Sequence, residues 1–343
     1  MNIYKLPGTW ILMLSLFLVG AATSSCVHQF PEEDKTGTVN LTVLQEREWL
    51  PDTVVNLTRA ESGDVVIRYD FKVYPKGSTS YCIKEFTILK DDLTRQDYVT
   101  SLELMPGEYD LYCWSDYANP DGTPIYYDDS DFAAITYIKP YEGDSDLRDV
   151  FRGMTSFTIT PAGYYELQPI YATINLSRPF ARYKFIATDL AEFVDKETTR
   201  GKFVDGLSAG IAPGDGQKRA RLSDYRVKVK YPLYMPAVFN NFRNNPVDSW
   251  TEVEFTGTMT QISSTEAMLA MDYVMVNGLQ SSVQVMLEVY DPDGLLIART
   301  NTITVPTKRN RTTLIYNKFL TTIRNDGVGI DPDFDGEYNI EIK

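Results

Sequence analysis

A chain of 343 residues, 43% hydrophobic and 13% aromatic, has enough apolar material for two packed domains, so its formal net charge of −14 does not signal disorder. So acidic a surface repels nucleic-acid phosphates and anionic lipid, and neither is an expected partner. The one histidine, His28, stands close to the N-terminus, which excludes Ser–His and Cys–His nucleophiles and His-based metal clusters from the folded part.

Lys5 precedes an apolar run interrupted by Ser15 alone, residues 10–19 (WILMLSLFLV), and then the small residues 20–25. Such a run is too short to cross a hydrocarbon core of about 30 Å, so residues 1–25 read as a signal peptide and not as a membrane span. The signal stops against Cys26 and resembles a bacterial lipoprotein signal, in which that cysteine takes the lipid and becomes the first residue. Thr23, Ser24 and Ser25 supply the small side chains that cleavage needs, without the usual leucine. Ordinary cleavage near Ala22 is the alternative. Residues 26–37 read as an acidic tether carrying Glu32, Glu33 and Asp34, which is either a solvated spacer or similar to a surface-export signal.

From residue 38 the apolar positions alternate at period two, the mark of half-buried strands. Val39, Leu41 and Val43 oppose Thr38, Asn40 and Thr42; Ile67, Tyr69, Phe71 and Val73 oppose Arg68, Asp70 and Lys72. Strands are predicted at 81–89, 98–104 and 108–115, the last two joined as a hairpin by Pro106-Gly107. Residues 119–123 and 126–132 (YYDDSDF) read as loop, and strand resumes at 157–160 and 167–176. Cys82 and Cys113 both lie in strand-like segments facing inward; they form either a disulfide or two buried thiols.

The first sandwich is expected to span 38–165 and a second 166–343. In the second, residues 189–196 (DLAEFVDK) form the best helix, with Asp189 as N-cap. Residues 201–223 read as a long loop. Strands are predicted at 225–231, 250–260, 269–276, 283–290, 295–298, 301–305 and 312–319, with Asp291-Pro292-Asp293-Gly294 as a turn. Many short strands at regular spacing and few helices indicate an all-β fold of two tandem sandwiches.

No spacing selects a catalytic carboxylate pair or a phosphate loop, so no enzyme and no cofactor is expected. Residues 331–336 (DPDFDG) open like a calcium loop, but its twelfth position is Ile342 where a bidentate Glu is required. Asp128, Asp129 and Asp131 read as surface acids, so no metal is assigned. Trp114, Tyr117, Tyr126 and Tyr127 have the chemistry to stack on sugar rings, although aromatics in alternating strands are more often core. Beyond the glycine-bearing break at 325–329 the chain ends in an alternating segment, 338–343 (YNIEIK). Its Tyr338, Ile340 and Ile342 make a candidate donor strand, able to pair with its own sheet or with another subunit's open edge.

Several phrases in order resemble fimbrillin-like lipoproteins: 104–114 (LMPGEYDLYCW), 176–182 (LSRPFAR), 305–313 (VPTKRNRTT) and 329–337 (GIDPDFDGE). The resemblance implies two transthyretin-like Greek-key β-sandwiches, display at the outer membrane through lipid (palmitate) on Cys26, and assembly with other subunits into type V fimbriae by strand exchange, with a role in adhesion to a host or glycan ligand. It also implies that an Arg-specific protease cuts after the first strand of shaft subunits. Arg47 and Arg59 are the corresponding candidates here, while an anchor subunit keeps that strand. A surface glycan-binding lipoprotein is the alternative function.

Overall fold

Period-two alternation makes residues 37–45 a strand, and in the computed structural model it is the middle strand of a sheet. Residues 36–46, 65–93, 97–160, 168–201, 220–321 and 338–341 are described, the last by backbone alone. Cys26, Arg47, Arg59, Ile342 and the calcium-like turn at 331–336 lie outside them.

The first unit is built from β1 (Gly37–Gln45), β2 (Val66–Pro75), β3 (Lys84–Lys90), β4 (Tyr98–Leu104), β5 (Gly107–Ala118), β8 (Phe151–Ile159) and β9 (Ile170–Leu176), with β6 (Tyr127–Asp128) and β7 (Ile135–Tyr137) between β5 and β8. β1 pairs antiparallel with β4 and parallel with β9, and this sheet faces a second of order β3-β2-β5-β8. Between them lies a core of Val39, Leu41, Val43, Ile67, Tyr69, Phe71, Leu111, Cys113 and Ile174.

Two expectations change here. The segments on either side of Pro106-Gly107 do not form a hairpin: β4 pairs with β1, whereas β5 pairs with β2 and β8. The turn carries the chain across the sandwich, which places the apolar face of both strands on the same core. The first sandwich also runs past the expected break at 165, because β9 completes the β1 sheet and Ile174 and Leu176 are buried in the first core.

The second unit contains β10 (Phe180–Ala187), helix α1 (Leu190–Thr199), β11 (Arg226–Tyr231), β12 (Met235–Asn240), β13 (Asn245–Trp250), β14 (Val253–Thr258), β15 (Thr260–Gln261), β16 (Ala267–Met275), β17 (Gln280–Tyr290), β18 (Leu296–Arg299), β19 (Ile303–Lys308), β20 (Thr312–Asn317) and β21 (Tyr338–Glu341). One sheet has the order β15-β16-β10-β20-β21, and the other the order β14-β11-β17-β18 with β19 on β17. Asp189 occupies the N-cap position of α1 without capping it. Its carboxylate instead accepts from the Leu320 and Thr321 amides and the Thr321 hydroxyl, pinning the exit of β20 to the helix start.

Residues 119–150 leave the first sandwich between β5 and β8 and enter the second as an arm. There β7 pairs with β12, giving a sheet of order β13-β12-β7-β6. The segment 126–132, expected as loop, therefore contains β6 and sends Tyr127 and Phe132 into the second core.

Candidate assembly site

β1 sits in a slot whose walls are the backbones of β4 and β9 and whose floor is the first core. Val39, Leu41 and Val43 are fully buried, while Thr38, Asn40 and Thr42 are half-buried on the other face. The C-terminal end of the strand is tied at three points. The Gln45 amide donates to Asp97 Oδ1 (2.9 Å), the Gln45 side-chain amide donates to the Tyr69 hydroxyl, and the Glu46 amide donates to the Leu176 carbonyl (2.8 Å). Tyr69 and Tyr98 meet edge to face at 5.0 Å beside this end, and burial pushes the Tyr98 phenol well above its ordinary pKa. Past Glu46 the chain enters the segment that carries Arg47 and Arg59.

The other strand of interest is β21. Its backbone runs parallel to β20, with Thr313 opposite Tyr338 and Ile315 opposite Ile340, so it occupies an edge of the five-stranded sheet. Parallel pairing at a sheet edge uses backbone groups alone, and nothing in that chemistry is specific to the chain that supplies the strand.

The remaining candidate residues are dispersed. Cys113 is fully buried in the first core; Cys82 is partly buried on the opposite face of the same sheet, beside Tyr74. The two thiols lie on opposite faces of the sheet and are not bonded to each other. Burial raises the Cys82 thiol pKa. Trp114 and Tyr127 are fully buried and Tyr117 nearly so, with Trp114 packed against Tyr127, Phe180 and Phe239. These aromatics are core residues and not a sugar-stacking platform. Asp129 pairs with Arg68 at 2.8 Å, while Asp128 and Asp131 accept from the nearby amides of Ser130 and Ala133, so the three acids serve the arm's own geometry. No helix among the described residues is long and apolar enough to cross a membrane.

The sequence did not reveal how firmly the arm joins the two sandwiches. Arg148 is buried, forms an ion pair with Asp272 on β16 at 3.1 Å, and is ringed by Tyr126, Tyr127, Tyr137 and Tyr141 at 4.5–5.7 Å. Asp272 also accepts from the hydroxyls of Tyr141 and Tyr231, each at 2.6 Å, and burial raises its carboxyl pKa in spite of these donors. Asp146 and Asp149 pair with Arg182 and Arg178 at 3.2 and 2.7 Å. At the arm's other end Arg68 grips Asp116 with two bonds of 2.9 Å, and Lys72 Nζ donates to the Ser130 carbonyl at 2.7 Å. Arg68 and Lys72 lie on the face of β2 expected to meet solvent; the arm covers it. The partners in these pairs are far apart in sequence, so no local spacing signals them.

No curated protein matches the sequence. The chain is similar to the fimbrial anchor protein Mfa2 of Porphyromonas gingivalis, with 11% identity, 76% of this chain and 81% of that one covered, and a TM-score of 0.37. It is similar to a fimbrial assembly protein of Parabacteroides distasonis (12% identity, 82% and 91% covered, TM-score 0.41). A provisionally named polysaccharide-binding protein of Bacteroides thetaiotaomicron is also similar (11%, 77% and 79%, 0.42). The model of a family of unknown function, DUF6562, matches residues 31–343, and the chain belongs to that family.

Proposed function

We propose that this protein is a non-enzymatic fimbrial subunit or fimbrial anchor, tethered to the outer membrane by lipid on Cys26, that assembles by β-strand exchange and serves adhesion. One observation carries the reading: β1 is the middle strand of its sheet, yet a single cut in the segment after Glu46 severs it from every later element. Cleavage after Arg47 or Arg59 leaves both flanking strands covalently intact, and the slot then offers two open backbone edges over three apolar sockets.

Residues 338–343 have the matching pattern, with Tyr338, Ile340 and Ile342 at period two. Refilling three such sockets contributes about 5–9 kcal/mol gross, before the cost of ordering the incoming strand. A cut chain joins the shaft; an uncut chain keeps its lipid and anchors it. The alternative, a glycan-binding lipoprotein, loses the platform first considered for it, because Trp114, Tyr117 and Tyr127 are core residues.

Deleting residues 338–343 tests the reading. The shortened protein is expected to remain a folded monomer by circular dichroism and size exclusion and to fail to join its partner. Unchanged assembly refutes the donor-strand role.

A further inference from the structure

At one end of the second sandwich, the turn between β12 and β13, the turn between β16 and β17, and the turn after β19 enclose an open hollow of about 630 Å³. We propose that this hollow binds an acidic sugar, a pyranose bearing a carboxylate, with Arg309 and Arg243 holding the carboxylate. The proposal is independent of strand exchange.

The first ground is an imbalance of charge. Arg68, Arg148, Arg178 and Arg182 are buried and each faces a carboxylate. Arg309 differs. Its Nη2 donates only to neutral oxygens, the carbonyls of Asn244 and Val276 (the latter at 3.3 Å) and Asn245 Oδ1 at 3.4 Å, and its Nε is buried without a partner. Burial lowers its pKa, with no offsetting acid. Behind it Arg152 is clipped by Asn241 through Nε to Oδ1 (3.0 Å) and Nη2 to the carbonyl (2.6 Å), again neutral groups. Burial first, and then repulsion from Arg309, brings Arg152 down to about 10. Arg243 lines the hollow, exposed, and makes no ion pair among the described residues. In a chain with 47 acidic and 33 basic side chains, these three guanidiniums thus have no carboxylate partner among the described residues. Arg309 and Arg152 are half-buried, and a charge partly withdrawn from water without a counter-ion is relieved by a bound anion.

The second ground is what stands beside the charge. Val247 and Leu279, 49% and 77% exposed, flank the hollow with apolar surface suited to the C–H face of a sugar ring. A bare inorganic anion leaves the apolar flank unused. A carboxylated ring uses both the guanidiniums and the flank, in the pattern of ligand sites where a few polar groups fix orientation over apolar contact.

The test is titration calorimetry of the mature protein at low salt with a uronic-acid trisaccharide, its neutral carboxyl-reduced counterpart, and inorganic phosphate. The acidic trisaccharide is expected to bind at least about tenfold more tightly than either of the others. Arg309→Gln and Arg243→Glu should each weaken it by about tenfold or more. Arg243 is exposed, so its variant keeps the test valid if Arg309→Gln fails to fold. Absence of binding, equal binding of the neutral sugar, phosphate binding as tightly as the sugar acid, or full binding by Arg243→Glu would each overturn the proposal.

Discussion

Leu41→Ala is the substitution that probes the β1 slot most sharply. Leu41 is fully buried, opposite Thr100 of β4 on one side and Ala172 of β9 on the other, over the core of the first sandwich. A strand held between two neighbours cannot shift to close the gap without breaking both ladders, so the cavity stays largely open. Truncation of such a leucine costs about 2–5 kcal/mol, a large part of the 5–15 kcal/mol that holds a typical domain together. Thr42, the next residue, faces the other side of the sheet, and Thr42→Ala should cost less than about 1 kcal/mol. Equilibrium urea unfolding of the uncut protein measures both. The same order should appear when synthetic β1 peptides refill a chain from which β1 has been cleaved. Equal effects of the two substitutions, within about 0.5 kcal/mol, would refute the placement of β1 as an inward-packed central strand.

Other consequences can be measured on the same protein. Burial, and then the charge of Asp129, lifts the Asp70 carboxyl to about 6 against Thr87, Lys72 and Arg68, which favour its ionised form. The folded chain therefore holds a proton that the unfolded chain releases, so this residue's contribution to stability declines as pH rises from about 4 to 6. Asp70→Asn should raise the melting temperature at pH 7.5 relative to the parent, with the advantage gone near pH 4. Arg148→Met removes one partner of a buried pair, leaves Asp272 among tyrosines, and should cost about 3–5 kcal/mol in thermal unfolding, with new protease sensitivity in the arm. A Cβ at Gly153 would stand 2.6 Å from the Asn175 carbonyl and Leu176, where β8 meets the end of β9, so Gly153→Ala should lower the melting temperature measurably.

Much of the β architecture could be read directly from the chain. The alternations at 39–43 and 67–73 mark β1 and the inner face of β2 because a half-buried strand has few other ways to arrange such a pattern. The helix at 190–199 followed from Leu190, Phe193 and the Asp189 start signal, although Asp189 spends its carboxylate on the chain after β20. What failed was non-local. Pro106-Gly107 specifies a reversal but not whether the next strand joins the same sheet or crosses to the facing one. Tyr126–Phe132 looks like a loop because its aromatics and acids do not alternate cleanly. Their partners, Arg68, Arg148 and Phe180 among them, are reached only after folding. β12 was missed because Pro236 interrupts a short apolar stretch, and its pairing to β7 depends on the arm. Arg309 and Arg243, the residues that hold the carboxylate in the proposed sugar site, carry no motif. Their signal is a missing counter-charge, which sequence does not display.

The strand-exchange account is tested most directly by determining the N-terminal sequence and intact mass of the mature protein taken from the cell surface. It predicts either a start at acylated Cys26 with β1 retained, the form of an anchor, or a start immediately after Arg47 or Arg59 with β1 lost, the form of a shaft subunit. A start near Ala22, with Cys26 unmodified and β1 retained, would contradict it.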